Sequence, residues 1–275
     1  AQAVAQLALI SGRSLEAEAG LVGTVLNVFA EDGIKALDVV DELAKAMTLS
    51  RFSIGDFDAA LSNAMATAAA FNQTFESTLT MITAFGRVGV EASRAGTMVR
   101  RLLGRLGEPD VMQFYEQMTE LYPRVIQRWN EMVESGLIEG TTRQLPQTPV
   151  TIFDPETGDL SRDLGRAIVA TAETMDLWIS ASTTATEHAE RYKMAMQEVY
   201  RLFGIRQLEP FLAMGRVTYQ MGEQVLSGTA AYDALAKEVR KATEALGFSE
   251  RYVQELMGTW AMAQRQWESS RQIFQ

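Results

Sequence analysis

A chain of 275 residues with 25 Lys and Arg against 35 Asp and Glu carries a formal charge of −10, so bulk electrostatics does not make it a nucleic-acid binder and any such contact must come from a local patch. Zero cysteines and one histidine, His188, exclude disulfides, thiolate metal sites, iron–sulfur clusters and cysteine nucleophiles, and leave imidazole chemistry a single residue to work with. A composition of 47% hydrophobic and 22% charged residues with only 6 prolines is that of a globular chain in which long helices are permitted almost everywhere.

The first residues, AQAVAQLALISGRS, contain neither an initiator Met nor a basic stretch before an apolar core. They read as neither a secretion signal nor a natural translation start, and the expectation is a piece of a longer chain. Ser14 is then placed to cap a helix with Glu16 and Glu18 in its first turn, and Gly33 to close it after Phe29. Leu37, Val40, Leu43 and Met47 form the stripe of a second helix. Ser53-Ile54-Gly55-Asp56 is a Ser-x-x-Asp capping signature ahead of Phe57, Leu61, Met65 and Ala68, and Thr74 caps the helix after that. The least charged stretch, 59–85, contains only Glu76, but its Ala, Asn, Gln, Ser and Thr residues are too weakly apolar for a transmembrane span.

The segment FGRVGV, 85–90, brings two helices together at a glycine corner, after which EASRAGTMVRRLLGRL resumes the helical pattern. A helix from Asp110 carries Phe114, Met118, Tyr122, Val125, Trp129 and Met132 at helical spacing, with Pro123 expected to kink it or begin a new segment and Gly136 to end it. The stretch 136–158 holds Pro146, Pro149 and Pro155 and one extended piece, VTIF, which is the only strand the sequence predicts. Beyond it Ser161 is expected to cap a helix with Leu164, Ile168 and Met175, residues 189–203 form another that Gly204 ends, one runs from Thr229 to Leu246, and Ser249 caps the last. The expected fold is therefore all-α, with mostly antiparallel helices meeting at glycine corners and one short extended segment near 150–159. Its organisation is a helical half at 1–135, a connector at 136–160 and a second helical half at 161–275.

Few residues carry chemistry. His188 has Glu187 and Arg191 beside it but no second histidine with which to share a metal, and no pair of Glu-x-x-His motifs or phosphate-cradling loop is present. Glu134-Ser135-Gly136 is similar to the catalytic Glu-Ser of peptidoglycan-cleaving transglycosylases, yet the following GLIEGTTRQLPQTP lacks their Gly-Leu-x-Gln segment. No catalytic, cofactor or metal residue is assigned, and the chain is expected not to be an enzyme. Arg87, Arg94, Arg101 and Arg105 would project opposite the Val99, Leu102, Leu103 and Leu106 stripe if one helix were extended back through the glycines. They form either a solvated face or a basic stripe for DNA phosphates or an acidic partner. Val253, Trp260, Trp267 and Phe274 recur every seven residues, with Leu256 and Ala263 between them, as a seam for the protein's own core or for a second copy.

Three segments together resemble the core region of bacteriophage tail tape measure proteins. They are ALDVVDELAKAMTLSRFSIGDFDAALSNAMATAAAFNQTFESTLTMITAFGRVGVEASRAGTMVRRLLGRL, with its Asp-x-Leu-x-x-Ala helix at Asp41 to Ala46 and its corner at Gly89, Ser93, Ala95, Gly96 and Thr97; FDPETGDLSRDLG, with an Asp-x-x-Gly turn; and RLFGIRQLEPFLAM, with a Leu-Phe-Gly-x-Arg break at Leu202 to Arg206. The ordered set spans residues 14–215, and the aromatic helix from Asp110 with the connector after it departs from the family pattern. The resemblance implies a non-enzymatic structural protein of the virion, inside the tail, assembled in the host cytoplasm. It sets tail length and takes part in assembly and DNA ejection. Implied partners are copies of itself, tail-tube and tail-tip or baseplate proteins, DNA at a local contact, and the host membrane during ejection of the full-length protein. A helical ruler advances about 1.5 Å per residue, so 275 residues span about 400 Å at most, one segment of a ruler. The alternatives are a cell-wall-degrading, lysozyme-like module of a tail protein and a general helical interaction scaffold.

Overall fold

A computed structural model describes residues 2–106, 108–136, 152, 161–204, 208–244 and 247–259. Its helices are α1 (Gln2–Ser11), α2 (Leu15–Val28), a 3-10 turn (Ala30–Asp32), α3 (Ala36–Leu49), α4 (Ile54–Ala70), α5 (Phe75–Arg87), α6 (Ala92–Gly104), α7 (Pro109–Glu134), α8 (Leu164–Ser180), α9 (Ala185–Phe203), α10 (Leu208–Gly215), α11 (Gly228–Glu244) and α12 (248–259). A hairpin of β1 (Thr218–Met221) and β2 (Gln224–Ser227) interrupts them. The protein is thus mostly helical, as the sequence predicts.

Several helix starts follow from local chemistry. Ser14 accepts the Ala17 N–H, Ser53 and Asp56 exchange bonds in a capping box, and Thr74 accepts the Ser77 N–H. Each satisfies a donor that a helix start leaves without an intrahelical partner. Gly204 ends α9 at φ 61, a left-handed conformation that a side chain would resist. α7 runs through Pro123 as one helix.

Helix α5 lies at the centre. Every residue from Ser77 to Gly86 is buried, including Thr78, Thr80 and Thr83. Thr78 Oγ1 donates to the Thr74 carbonyl at 2.8 Å and Thr83 Oγ1 to Leu79 at 2.7 Å. The hydroxyls of Thr78 and Thr83 are satisfied within their own helix, whereas the Thr80 hydroxyl is buried without a partner. α8 is the second enclosed helix, and Thr174 repeats the device on the Ala170 carbonyl.

One apolar core includes Leu43 of α3, Phe57 of α4, Phe85 of α5, Leu103 of α6, Phe114 of α7, Ile168 of α8, Phe203 of α9, Phe211 of α10 and Leu235 of α11. The helices on either side of the 136–160 connector therefore share it. Salt bridges reinforce this on the surface of α11, where Lys45 reaches Glu238 at 2.9 Å and Arg240 reaches Glu76 at 2.8 Å.

Two buried acids hold helix starts in the interior, one of them across the connector. Asp41 of α3, 0% exposed, accepts the N–H groups of Gly247 (3.2 Å) and Ser249 (2.7 Å) at the start of α12. Glu173 of α8, also 0% exposed, accepts both the N–H (3.0 Å) and the hydroxyl (2.8 Å) of Thr229 in the first turn of α11.

The structure corrects several expectations. The hairpin was not expected: β1 and β2 pair antiparallel from Thr218↔Ser227 to Met221↔Gln224, and Gly222 at φ 62 supplies the positive φ that a two-residue turn needs at its first position. The expected extended segment at 150–159 lies outside the described residues, except Ile152, which is buried and accepts the Ser161 N–H. α8 is capped by Asp163 rather than Ser161, because the Asp163 carboxylate reaches the Arg166 N–H. Ser249 does not cap α12, whose first donors go to Asp41, and its hydroxyl bonds Gln6. α1 was not anticipated, and α9 begins four residues earlier than expected, at Ala185 with Thr184 as its cap.

Small residues bring α4 and α6 together. A Cβ on Gly96 would sit 2.0 Å from the Ala60 carbonyl oxygen, an atom held by its own helix. Gly96→Ala should therefore cost about 3 kcal/mol or more in urea unfolding, although alanine is favoured over glycine by about 1 kcal/mol in a helix interior. An unchanged or raised stability would contradict the contact.

Candidate functional site

The four arginines of the expected stripe do not lie along one helix. Arg87 is the last residue of α5, Gly89 turns the chain at φ 82, and α6 starts afresh at Ala92 with Glu91 accepting the N–H groups of Ser93 and Arg94. Arg87 is directed inward. It donates to the Leu49 and Thr218 carbonyls, both at 2.6 Å, and sits 5.6 Å from the Tyr219 ring, tying α5 to the hairpin. Arg94 and Arg101, seven residues apart, are exposed on one side of α6, opposite the buried Val99, Leu102 and Leu103. Arg105 pairs with Glu108. Extension of one helix through the glycines fails because the chain turns there.

Of the aromatic seam, Val253 is half-buried in α12, while Trp260, Trp267 and Phe274 lie outside the described residues. Leu256 and Met257 beside it are exposed. His188 is exposed in the first turns of α9, next to a Glu187–Arg191 pair, and Glu134 is exposed at the end of α7. Among the described residues no group of three or more His, Cys, Asp or Glu side chains is arranged to hold a metal ion, and no helix is long and apolar enough to cross a membrane.

The most distinctive polar feature is a cleft that the sequence did not single out. It has a volume of about 340 Å³ and is bounded by the 3-10 turn, the first half of α3, the start of α5, Arg162 and Thr243 of α11. Four acids line it. Asp32 takes the Phe75 N–H at 3.3 Å and Arg162 at 2.6 Å, Asp38 takes the Lys35 N–H at 2.9 Å, and Glu76 holds Arg240. The fourth, Glu42, is only 5% exposed and its Oε2 has no hydrogen-bond partner. Burial, followed by the negative charges of Glu76, Asp38, Asp32 and Asp41, pushes the Glu42 carboxyl up to about 9. It is thus a neutral acid at neutral pH. A signal for it did exist, since Asp41-Glu42 are consecutive acids inside the buried Val39, Val40, Leu43, Ala46 stripe.

The family model for phage-related minor tail proteins matches residues 1–148, just over half of the chain's 275. The chain belongs to that family. No curated protein and no solved structure matches it. The matched part of this phage minor tail protein holds α1 to α7, with the close α4–α6 contact and all four acids of the cleft, and is consistent with the tape measure resemblance. Arg162 and Thr243, which complete the cleft, come from the half beyond the match.

The position of Glu42 has a consequence for stability. Its folded-state value lies above the ordinary 4.5, so its contribution to stability is fully present below pH 4.5 and is lost as pH rises toward 9. Glu42→Gln removes that dependence. The variant should match the parent protein near pH 4.5 and exceed it by about 3 kcal/mol at neutral pH in urea unfolding. A difference that does not change with pH would show Glu42 to be ionised in the folded protein.

Proposed function

We propose that this minor tail protein is a segment of a tape measure protein, which sets tail length, takes part in tail assembly and travels with DNA ejection. The observation that carries this reading is the family match across 1–148, coincident with the ordered motifs from Asp41 to Thr97. Its partners on this reading are tail-tube and tail-tip proteins, its place the tail interior, and it has no catalytic role of its own.

A ruler needs extended chain, whereas α1 to α11 fold back on a shared core. The described residues therefore serve the reading as a compact assembly body, from which extended parts of a longer chain would run. On this reading 1–135 is the family-matched half and 161–275 the second half, a division supported by the match ending inside the connector at 148, while described residues from Leu164 to Val239 share the core of the first half. The exposed Arg94 and Arg101 supply a small basic face for DNA or an acidic partner, and the Val253, Trp260, Trp267, Phe274 seam supplies self-association.

Two experiments test this. In-frame deletion from the extended part of the full gene should shorten tails by at most about 1.5 Å per residue, while deletion within 36–104 should abolish assembly. Unchanged tail length after a viable deletion in the extended part would refute the ruler. Trp260→Ala with Trp267→Ala should convert an oligomer to monomers in light scattering with helicity retained, and a parent protein that is already monomeric at high concentration would remove the seam from the proposal.

A further inference from the structure

The cleft between the 3-10 turn, α3 and α5 concentrates negative charge around a buried acid, and its existing pairings show which chemistry it accepts. Two of its acids already hold guanidinium groups: Asp32 holds Arg162 and Glu76 holds Arg240, both arginines more than half exposed at the rim. Asp38 is occupied by the Lys35 N–H at the start of its own helix. Glu42 alone among the four lining acids presents an oxygen, Oε2, that is buried without a donor. A buried acceptor left without a donor is costly and rare in folded proteins.

We propose that the cleft is a docking site for a basic side chain, an arginine guanidinium presented by a segment of a partner protein, with Glu42 at its floor as the anchoring acceptor. A bare metal ion is the weaker candidate, because no group of three or more ligating side chains is arranged for one among the described residues. The volume of about 340 Å³ would hold roughly ten waters, far more than an ion needs and enough for a long side chain. The field in the cleft selects the same class of guest. Asp38 and Asp41 on α3, Asp32 on the 3-10 turn and Glu76 on α5 all act on Glu42, while Arg162 pairs with Asp32 and Arg240 of α11 with Glu76. Burial and that potential together favour a proton on Glu42. A guanidinium brings a positive charge together with several N–H donors, so it replaces the proton and satisfies Oε2 at once, in a charge-assisted bond stronger than a neutral one. The inference rests on the cleft and stands whether or not the protein sets tail length.

The test uses the 275-residue protein and two probes, N-acetyl-arginine amide and its uncharged isostere N-acetyl-citrulline amide, titrated at low salt and near-neutral pH by NMR and calorimetry. The arginine probe should bind saturably at one site, about tenfold more tightly than the citrulline probe, and release a proton that appears as buffer-dependent heat. Glu42→Gln, which keeps the shape of the floor, should weaken it about tenfold. Arg162→Gln is a surface change that leaves the floor intact and frees Asp32, so it should tighten binding about threefold even if the Glu42 variant were to misfold. Equal binding of the two probes, no saturable binding, unchanged affinity in a folded Glu42→Gln protein, or saturable binding of magnesium ion alone at the same residues would each overturn the proposal.

Discussion

The fold depends on carboxylates buried in one helix that hold the first backbone donors of another. A helix start carries donors with no intrahelical partner, and enclosing them unpaired costs on the order of 1–3 kcal/mol each. Asp41 receives two such donors from the start of α12 and Glu173 receives one, plus a hydroxyl, from the start of α11. Because both acids are fully buried, losing either helix start would leave a buried polar group without its partner. This is a directional constraint of a kind that apolar packing lacks. It fixes where α11 begins against α8 and where α12 begins against α3.

The same economy governs the centre of the protein. α5 and α8 are enclosed although they contain threonines, and the hydroxyls of Thr78, Thr83 and Thr174 return to carbonyls four residues earlier, with Thr80 the buried exception in α5. Gly96 of α6 lies directly against the Ala60 backbone of α4, so at that point the two helices meet by close backbone approach. The low hydropathy of 59–85 thus reflects tight packing of small and self-satisfied residues.

What was legible in the sequence was local. Ser14, Ser53 with Asp56, Thr74 and Gly204 act within a turn of their own helix, where residue type and spacing decide the outcome. The hairpin was missed because its strands have four residues each and expose most of their side chains, leaving little alternation to see beyond Gly222-Glu223. The capping of α12 by Asp41 was missed for the opposite reason: its partners are more than 200 residues apart in the chain. The cleft belongs to this second class. Asp32, Asp38, Glu42 and Glu76 look like ordinary solvated acids one at a time, and only the packing of α3 on α5 sets Glu42 among them. The arginine stripe failed at a single point, the turn at Gly89, which sent Arg87 inward to the hairpin while Arg94 and Arg101 stayed outside.

The Asp41 pairing also orders events during synthesis. Ser249 follows Asp41 by 208 residues, and ribosomes add roughly 5–20 residues per second, so α3 waits about 10 to 40 seconds for the donors that its buried acid requires. Throughout that interval Asp41 is better served by water than by an apolar interior, which holds the face of α3 meant for α12 open to solvent. The pairing of α3 with α12 is therefore completed only once residues 247–249 have been synthesised.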